Sequence, residues 1–314
     1  MTNPRISVIM SVYNSEEFIG EAIKSILNQT YKNFEFIIIN DGSTDNSLKI
    51  VKKYLKKDKR IVLIDCKANL GLTKSLNKGL KIARGDYIAR QDADDVSLPE
   101  RFEIQYDYLK NNKDVFLIGT GAIKINPDGS IIGVHKAIIN SEELKKALEK
   151  SNVIYHPTIM FKNENYLYRE KFRYSQDYDF YLLLLSKGKI LANIQENLVK
   201  YRVDPKSISS SKRAQQYAFE KYAAEFYRER KRVGKDMYNS FKPKEILNSD
   251  EENSTDKFFL KYEIIINFKH NDFKKSRDFC TRYFKNHGVI NKFTVFYLLS
   301  FSNRKFIDFL RKVF

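Results

Sequence analysis

The segment YIARQDADDVSLPERF, residues 87–102, runs from an apolar strand into three crowded carboxylates, Asp92, Asp94 and Asp95, and then into Pro99. It does so in a chain of 314 residues with a formal net charge of +17. Acids at a helix start suit the helix dipole, and Asp95 or Ser97 is placed to cap a helix beginning near Pro99. A cap accounts for one acid, not three. Three adjacent carboxylates repel one another unless a cation sits among them. Hard cations such as Mg²⁺ or Mn²⁺ take oxygen ligands, often one or two carboxylates together with substrate phosphates. The segment therefore points to a metal–diphosphate site at a strand tip.

The surrounding chain supplies a sheet for that tip. RISVIMSVYN (5–14), FEFIIIN (34–40), RIVLIDC (60–66) and the strand at GDYIAR alternate with helical segments at 16–29, LKIVKKYLKK and 72–83. Strands alternating with helices predict a parallel sheet covered on both faces. In such sheets ligands bind beyond the carboxyl ends of the strands. The polar tips Tyr13-Asn14, Asn40-Asp41 and Gln91–Asp95 should gather on that edge. Further on, the spacing predicts a helix from Pro99 to about Lys110, a strand at VFLIGTG and a hairpin turning at Pro127-Asp128-Gly129. Asn140 with Glu143 reads as a capping box. HPTIMF (156–161) reads as a short buried strand, SQDYDFYLLLLSKGK (175–189) as a helix opening with acids, and ILANIQENLVKYRVD as further strands.

Apolar residues make up 42% of the chain, enough for a sizeable core. Two isolated cysteines, Cys66 and Cys280, form neither a metal cluster nor a disulfide framework, which points to a reducing compartment. No window of roughly 18 apolar residues is present to span a membrane, and no signal peptide is visible, so the expected location is the cytoplasm. The basic charge calls for an anionic partner. Residues 211–314 hold 23 Lys and Arg against 13 Asp and Glu, and so carry most of the excess.

The segments ISVIMSVYN, FEFIIINDGSTDNS, NLGLTKSLNKGLKIARGDYIARQDADD, HPTIMF and QDYDFYLLL occur in the order seen in family 2 glycosyltransferases. The resemblance covers roughly residues 5–210. It implies an α/β GT-A fold: a Rossmann-like, mixed but mostly parallel sheet flanked by helices. Residues 1–97 would form the nucleotide-sugar half, 98–210 the acceptor half and 211–314 a helical basic and aromatic extension. It further implies an inverting transferase using Mn²⁺ or Mg²⁺ and a nucleotide-sugar, usually UDP-linked. On that resemblance Val12, Tyr13 and Asn14 begin the uracil pocket, with Glu16 on the same loop. Asp41 resembles the acid that hydrogen-bonds the uracil ring, although it also reads as a turn or cap residue. Asn69 and Gly71 lie on a nucleotide-facing turn, and Lys74 and Asn77 on the helix that follows, which either holds the nucleotide or packs. Asp92, with Ala93 beside it, resembles the acid nearest the ribose and sugar. Asp94 resembles the direct metal ligand, and Asp95 lies behind it or caps the helix.

Inversion requires a base to take the proton of the acceptor hydroxyl. Asp177 matches the family's acidic position; Asp179, two residues on, cannot share its helical face. The chain departs from many relatives at Gln176, where they carry Glu, and at Asp204, where they carry a His that joins the metal site or the diphosphate contacts. Asp204 offers a further metal ligand, its added negative charge offset by Arg202 and Lys206. His156 reads as structural or as a contributor on the acceptor side.

The segment 291–314 places Phe306, Phe309, Leu310 and Val313 on one helical face, with Arg304, Lys305, Arg311 and Lys312 around it. It reads as a helix packed on the catalytic domain, as an interfacial helix on anionic lipid at the inner face of the cell membrane, or as a homodimer contact. The expected acceptor is a glycan or lipid-linked saccharide. A nucleotidyltransferase would carry a Gly-rich loop with a basic residue where this chain has SVYNSEEF. A nucleic-acid binder would explain the charge but not the acidic pocket, so no nucleic-acid partner is expected. A non-catalytic nucleotide-sugar binder is the remaining alternative.

Overall fold

The computed structural model describes residues 4–204, 212–247, 255–269, 272–288, 294, 297 and 298. Its frame is a nine-stranded mixed sheet: β1 (Ile6–Val12), β2 (Phe34–Asp41), β3 (Ile61–Cys66), β4 (Tyr87–Gln91), β5 (Val96–Ser97), β6 (Val115–Ile125), β7 (Ile131–His135), β8 (Met160–Lys162) and β9 (Ile190–Arg202). The order is β3-β2-β1-β4-β8-β6-β9-β5, with β7 paired to β6. The nucleotide half, β3-β2-β1-β4, is wholly parallel. Beyond β4 the pairing alternates: β8 runs antiparallel to both β4 and β6, while β9 is parallel to β6.

Side-chain alternation sorts the core into two layers, because successive residues of a strand face opposite sides. From β1, Val8 and Met10 join α1 (Ile19–Leu27), α2 (Ser47–Leu55) and α4 (Arg101–Asn111) on one face. Ile9, with Ile37 and Ile39 of β2, joins the other face, covered by α3 (Leu72–Ile82), α5 (Ser141–Leu148) and α6 (Gln176–Ser186). The carboxyl-terminal helices α7 (Arg213–Val233), α8 (Lys244–Leu247), α9 (Lys257–Lys269) and α10 (Phe273–His287) belong to that second core. Phe219, Phe226, Phe259, Ile264 and Cys280 are buried in it. In its described part the extension therefore packs on the catalytic sheet. The amphipathic segment from Arg304 to Val313, and Lys206, lie outside the described residues. No helix among the described residues is long and apolar enough to cross a membrane.

Several elements differ from expectation. Residues 156–158 form a 3₁₀ turn, because Pro157 has no N–H to give a ladder, and the strand starts only at Met160. Residues 190–202 are one long strand, accommodated by register shifts opposite Val115–Ala122. Neither Asp95 nor Ser97 caps α4. Ser97 lies in β5, where its hydroxyl donates to Gln91 Oε1 and accepts from Arg101. The helix end is served from a distance: Phe102 N–H donates to Gln29 Oε1 at 3.0 Å. The Asn140 cap is as expected, accepting from Glu143 N–H, and the hairpin turns at residues 127–129.

Candidate active site

Three loops meet at the carboxyl ends of the parallel strands. Asp41, at the end of β2, is buried, and its two carboxylate oxygens accept Leu70 N–H at 2.8 Å and Gly71 N–H at 3.0 Å. This pins the turn carrying Asn69 and Gly71 against the β2 tip. Gly42 makes the approach possible: at φ +73° a Cβ there would sit 2.6 Å from the Ala68 carbonyl carbon. The loop after β1 is tied to the same tip. Asn14 Oδ1 accepts Thr44 N–H at 2.8 Å, and Glu16 accepts Asn46 N–H at 2.9 Å while its own N–H donates to Asp45. Val12 is buried and Tyr13 is half-exposed beside it. Glu16 is thus engaged at the start of α2. Asn77 is engaged too, exchanging hydrogen bonds with the Tyr168 backbone, so this position of α3 packs. Lys74 is exposed and lines a cleft with Gly71, Glu170, Lys171 and Pro243.

The acidic turn follows β4. One oxygen from each of Asp92, Asp94 and Asp95 lies within 4.8 Å of the others. Asp204 is not part of this group, although it follows Arg202 by two residues. Burial first, and then the neighbouring carboxylates, push Asp94 up to about 6 and Asp95 well above the ordinary range. Asp95 Oδ1 accepts Arg202 N–H at 2.8 Å, whereas its Oδ2 is buried and has no hydrogen-bond partner among the described residues. A buried carboxylate oxygen without a donor is costly, and a shared cation relieves both that cost and the mutual repulsion. The donor set, all hard oxygen, fits Mg²⁺ or Mn²⁺.

Buried guanidiniums hold this turn, and hydropathy gives no hint of two of them. Arg101 is fully buried; it donates to Gln91 Oε1, Ser97 Oγ, Gln105 Oε1 and the carbonyls of Arg90 and Ile159. Burial, with Arg90 nearby, lowers its pKa to about 9. Arg90 ion-pairs with Asp92, and its Nε has no hydrogen-bond partner among the described residues. Arg202 is the third. It donates to the Asp94, Asn126 and Pro127 carbonyls, pairs with Glu21 at 2.7 Å and lies over the Phe18 ring. It fastens the β6–β7 hairpin and α1 to the acidic turn. Arg90 stands next to the polar end of β4, before Gln91, where an arginine reads as solvated, yet it is buried.

Asp177 lies in the first turn of α6 behind Ser175, which adopts a left-handed φ of 52°. Asn152 Nδ2 donates to Asp177 Oδ2 at 2.8 Å. Burial raises the Asp177 carboxyl, against hydrogen bonds from Asn152 and Tyr178 and the charge of Arg90. Gln176 is buried, and Asp179 is locked into an ion pair with Arg169, whereas Asp177 pairs with no cation among the described residues. His156 is buried and shares a 2.7 Å hydrogen bond with the Tyr168 hydroxyl. Burial, and then Arg90, push it well below its usual range. Arg90 thereby links the acidic turn to the His156, Tyr168 and Asp177 side.

The family model for glycosyl transferase family 2 matches residues 7–169. The chain is 40% identical over 209 residues to the uncharacterized glycosyltransferase MJ1057 of Methanocaldococcus jannaschii, covering 65% of this chain and 72% of that protein. It is 37% identical over 212 residues to the O-antigen biosynthesis glycosyltransferase WbnJ of Escherichia coli, covering 66% and 82%. Two solved structures share the fold. S. aureus TarS 1–349 in complex with UDP-GlcNAc superposes at a TM-score of 0.61 and 16% identity, covering 94% of this chain and 91% of that one. The mannosyltransferase PcManGT of Pyrobaculum calidifontis, in complex with GDP-Man and Mn²⁺, does so at 0.56 and 15%, covering 96% and 85%. With a GT-A sheet, three loops converging on its carboxyl edge and a family model matched over residues 7–169, the chain belongs to glycosyl transferase family 2.

Proposed function

We propose that this chain is an inverting, metal-dependent glycosyltransferase that moves a sugar from a nucleotide donor, UDP-linked by preference, to a hydroxyl of a glycan or lipid-linked saccharide in surface polysaccharide synthesis, acting at the cytoplasmic face of the membrane. The observation that carries the reading is the acidic turn: three carboxylate oxygens within 4.8 Å, with Asp95 Oδ2 buried and unpartnered among the described residues. The WbnJ likeness supports a polysaccharide product, and the TarS and PcManGT complexes support nucleotide-sugar donors.

In this reading Asp94 and Asp95 hold the cation and Asp92 borders the ribose and sugar. When bound, Mn²⁺ or Mg²⁺ supplies positive charge against the departing diphosphate. Arg202 keeps the turn in place through the Asp94 carbonyl and the Asp95 carboxylate. Asp41, Asn14 and Gly71 shape the nucleotide pocket. Asp177 accepts the proton of the acceptor hydroxyl as that oxygen attacks the anomeric carbon, and the bond from that carbon to the diphosphate oxygen breaks with its electron pair leaving on the diphosphate. Asn152 orients the carboxylate, and burial makes it a stronger base than an exposed aspartate.

A panel of nucleotide-sugars, each with Mn²⁺, Mg²⁺ or EDTA, tests this by thermal shift and by release of nucleoside diphosphate. Stabilisation and turnover should require the cation and vanish in Asp94→Ala. Full metal-dependent turnover in that variant would remove the site assignment.

A further inference from the structure

The hairpin of β6 and β7 leaves a run of aliphatic side chains in the open. Ile131, Ile132, Val134 and Ile139 are 67, 49, 49 and 51% exposed and belong to neither core. Other exposed aliphatics among the described residues, such as Leu55, Ile82 and Ile190, stand singly along the chain. A single exposed aliphatic is ordinary, whereas a cluster marks a contact surface. This cluster is fastened at both ends. At the turn, Arg202 Nη1 donates to the Asn126 and Pro127 carbonyls at 3.1 and 2.8 Å. At the other end His135 stacks on Tyr155, ring centroids 3.9 Å apart, and the Ile138 carbonyl accepts from Asn193 Nδ2 at 3.0 Å. The hairpin is thus tied to the acidic turn, which the same Arg202 holds through the Asp94 carbonyl.

We propose that this hairpin docks on an anionic lipid surface, its aliphatic side chains entering the boundary between headgroups and acyl chains, and so holds the acidic turn where a lipid-linked acceptor lies. The inference rests on the lipid-linked acceptor proposed above. Charge favours it. From Ala122 to Ile139 the hairpin holds Lys124 and Lys136 against one acid, Asp128, whose carboxylate accepts the Ser130 N–H and hydroxyl. The register sets Ile123 of β6 between Val134 of β7 and Lys200 of β9. Cations around aliphatics, on a chain of formal net charge +17, suit an anionic leaflet. A second copy suits the hairpin less. Among the described residues β7 pairs only with β6, and an apolar edge strand invites another strand. Yet the register slips between Lys124 and Ile125, where two steps of β7 oppose one of β6, and such a bulge turns an edge away from pairing. A five-residue ladder, about 17 Å long, also covers far less than the roughly 1,200 Å² that a stable dimer buries. The open edge of β7 limits depth as well: its unpaired backbone groups need water or headgroups, so the hairpin stops short of the hydrocarbon.

The test is co-sedimentation of the full chain, without donor or metal, with vesicles of phosphatidylcholine and phosphatidylglycerol and with vesicles of phosphatidylcholine alone. Binding should need the anionic lipid. Ile131→Ser with Ile132→Ser should weaken it about tenfold, the equivalent of roughly two methylenes left in water. Both side chains are exposed, so the urea midpoint of the double variant should match wild type. A polarity-sensitive dye on Ile132→Cys reads the contact directly, since Cys66 and Cys280 are buried. Its emission should shift to the blue on the anionic vesicles. No binding, equal binding to the neutral vesicles, unweakened binding of the double variant, or an unshifted dye on a chain that does bind each overturns the proposal. A mass that doubles in sedimentation without vesicles, and returns to that of one chain in the double variant, makes a second copy the occupant and overturns it too. Absence of sugar transfer with every donor instead overturns the transferase reading while vesicle binding stands, so the two failures are distinguishable.

Discussion

Replacing Arg169 with Met removes a cation that ties α6, which carries Asp177, to the extension. Arg169 is nearly buried and forks onto Asp179, which is fully buried on α6. Its other nitrogen donates to Asp236 at 2.6 Å, and Asp236 is shared with Arg230. The guanidinium also lies over the rings of Tyr238, Phe172 and Phe226 at 4.3, 5.4 and 5.2 Å. Methionine fills similar volume but leaves Asp179 without a counter-charge. Breaking a buried pair on one side costs about 3–5 kcal/mol. With a urea slope of about 3 kcal/mol/M for a chain of this size, a 4 kcal/mol loss moves the unfolding midpoint by about 1.3 M. The loss must also depend on pH. Burial already raises the Asp179 carboxyl above its ordinary value even with Arg169 present. A raised acid contributes stability that is full below the unfolded pKa and is lost as pH rises through the folded pKa. Removing Arg169 enlarges that shift, so the defect is largest at pH 8 and shrinks toward pH 5, where Asp179 takes up a proton. Asp179→Asn in the same chain should restore part of the loss at pH 8. The measurement is urea unfolding at pH 5, 6.5 and 8 for wild type, Arg169→Met and the double variant. A loss under about 1 kcal/mol, or one of equal size at pH 5 and 8, would refute the reasoning.

Asp41→Ala leaves the Leu70 and Gly71 N–H groups without their acceptor. It should cost about 2 kcal/mol in urea unfolding and weaken UDP binding at least about tenfold by calorimetry, since two unmet donors free the loop. Arg202→Lys keeps the charge but cannot reproduce a fork that reaches the Asp94, Asn126 and Pro127 carbonyls and Glu21 together; the Mn²⁺-induced thermal shift should fall by more than half.

Much of the architecture was legible along the chain. The near-continuous apolar runs of β1 and β2 mark strands buried on both faces, and the polar tips at Asn14, Asp41 and Asp92–Asp95 mark the carboxyl edge where ligands gather. These are local signals, carried by residue type and spacing. The helix after Pro99 forms where its pattern places it, but its cap is not legible, because its donor is met by Gln29, far away in sequence, while Ser97 serves Arg101. HPTIMF looked like a strand because its residues are buried, and burial alone does not distinguish a turn from a ladder.

The chain by itself determined the alternating α/β frame, the three-acid turn and the family, because each depends on short-range pattern. Tertiary structure alone decided which charges act. Arg90, Arg101 and Arg202 converge on the acidic turn from β4, α4 and β9, and Asp179 is withdrawn into an ion pair with Arg169 while Asp177 is not. The strength of a charge is set by the water removed from it and by the charges folded against it, and neither is written in the order of the residues.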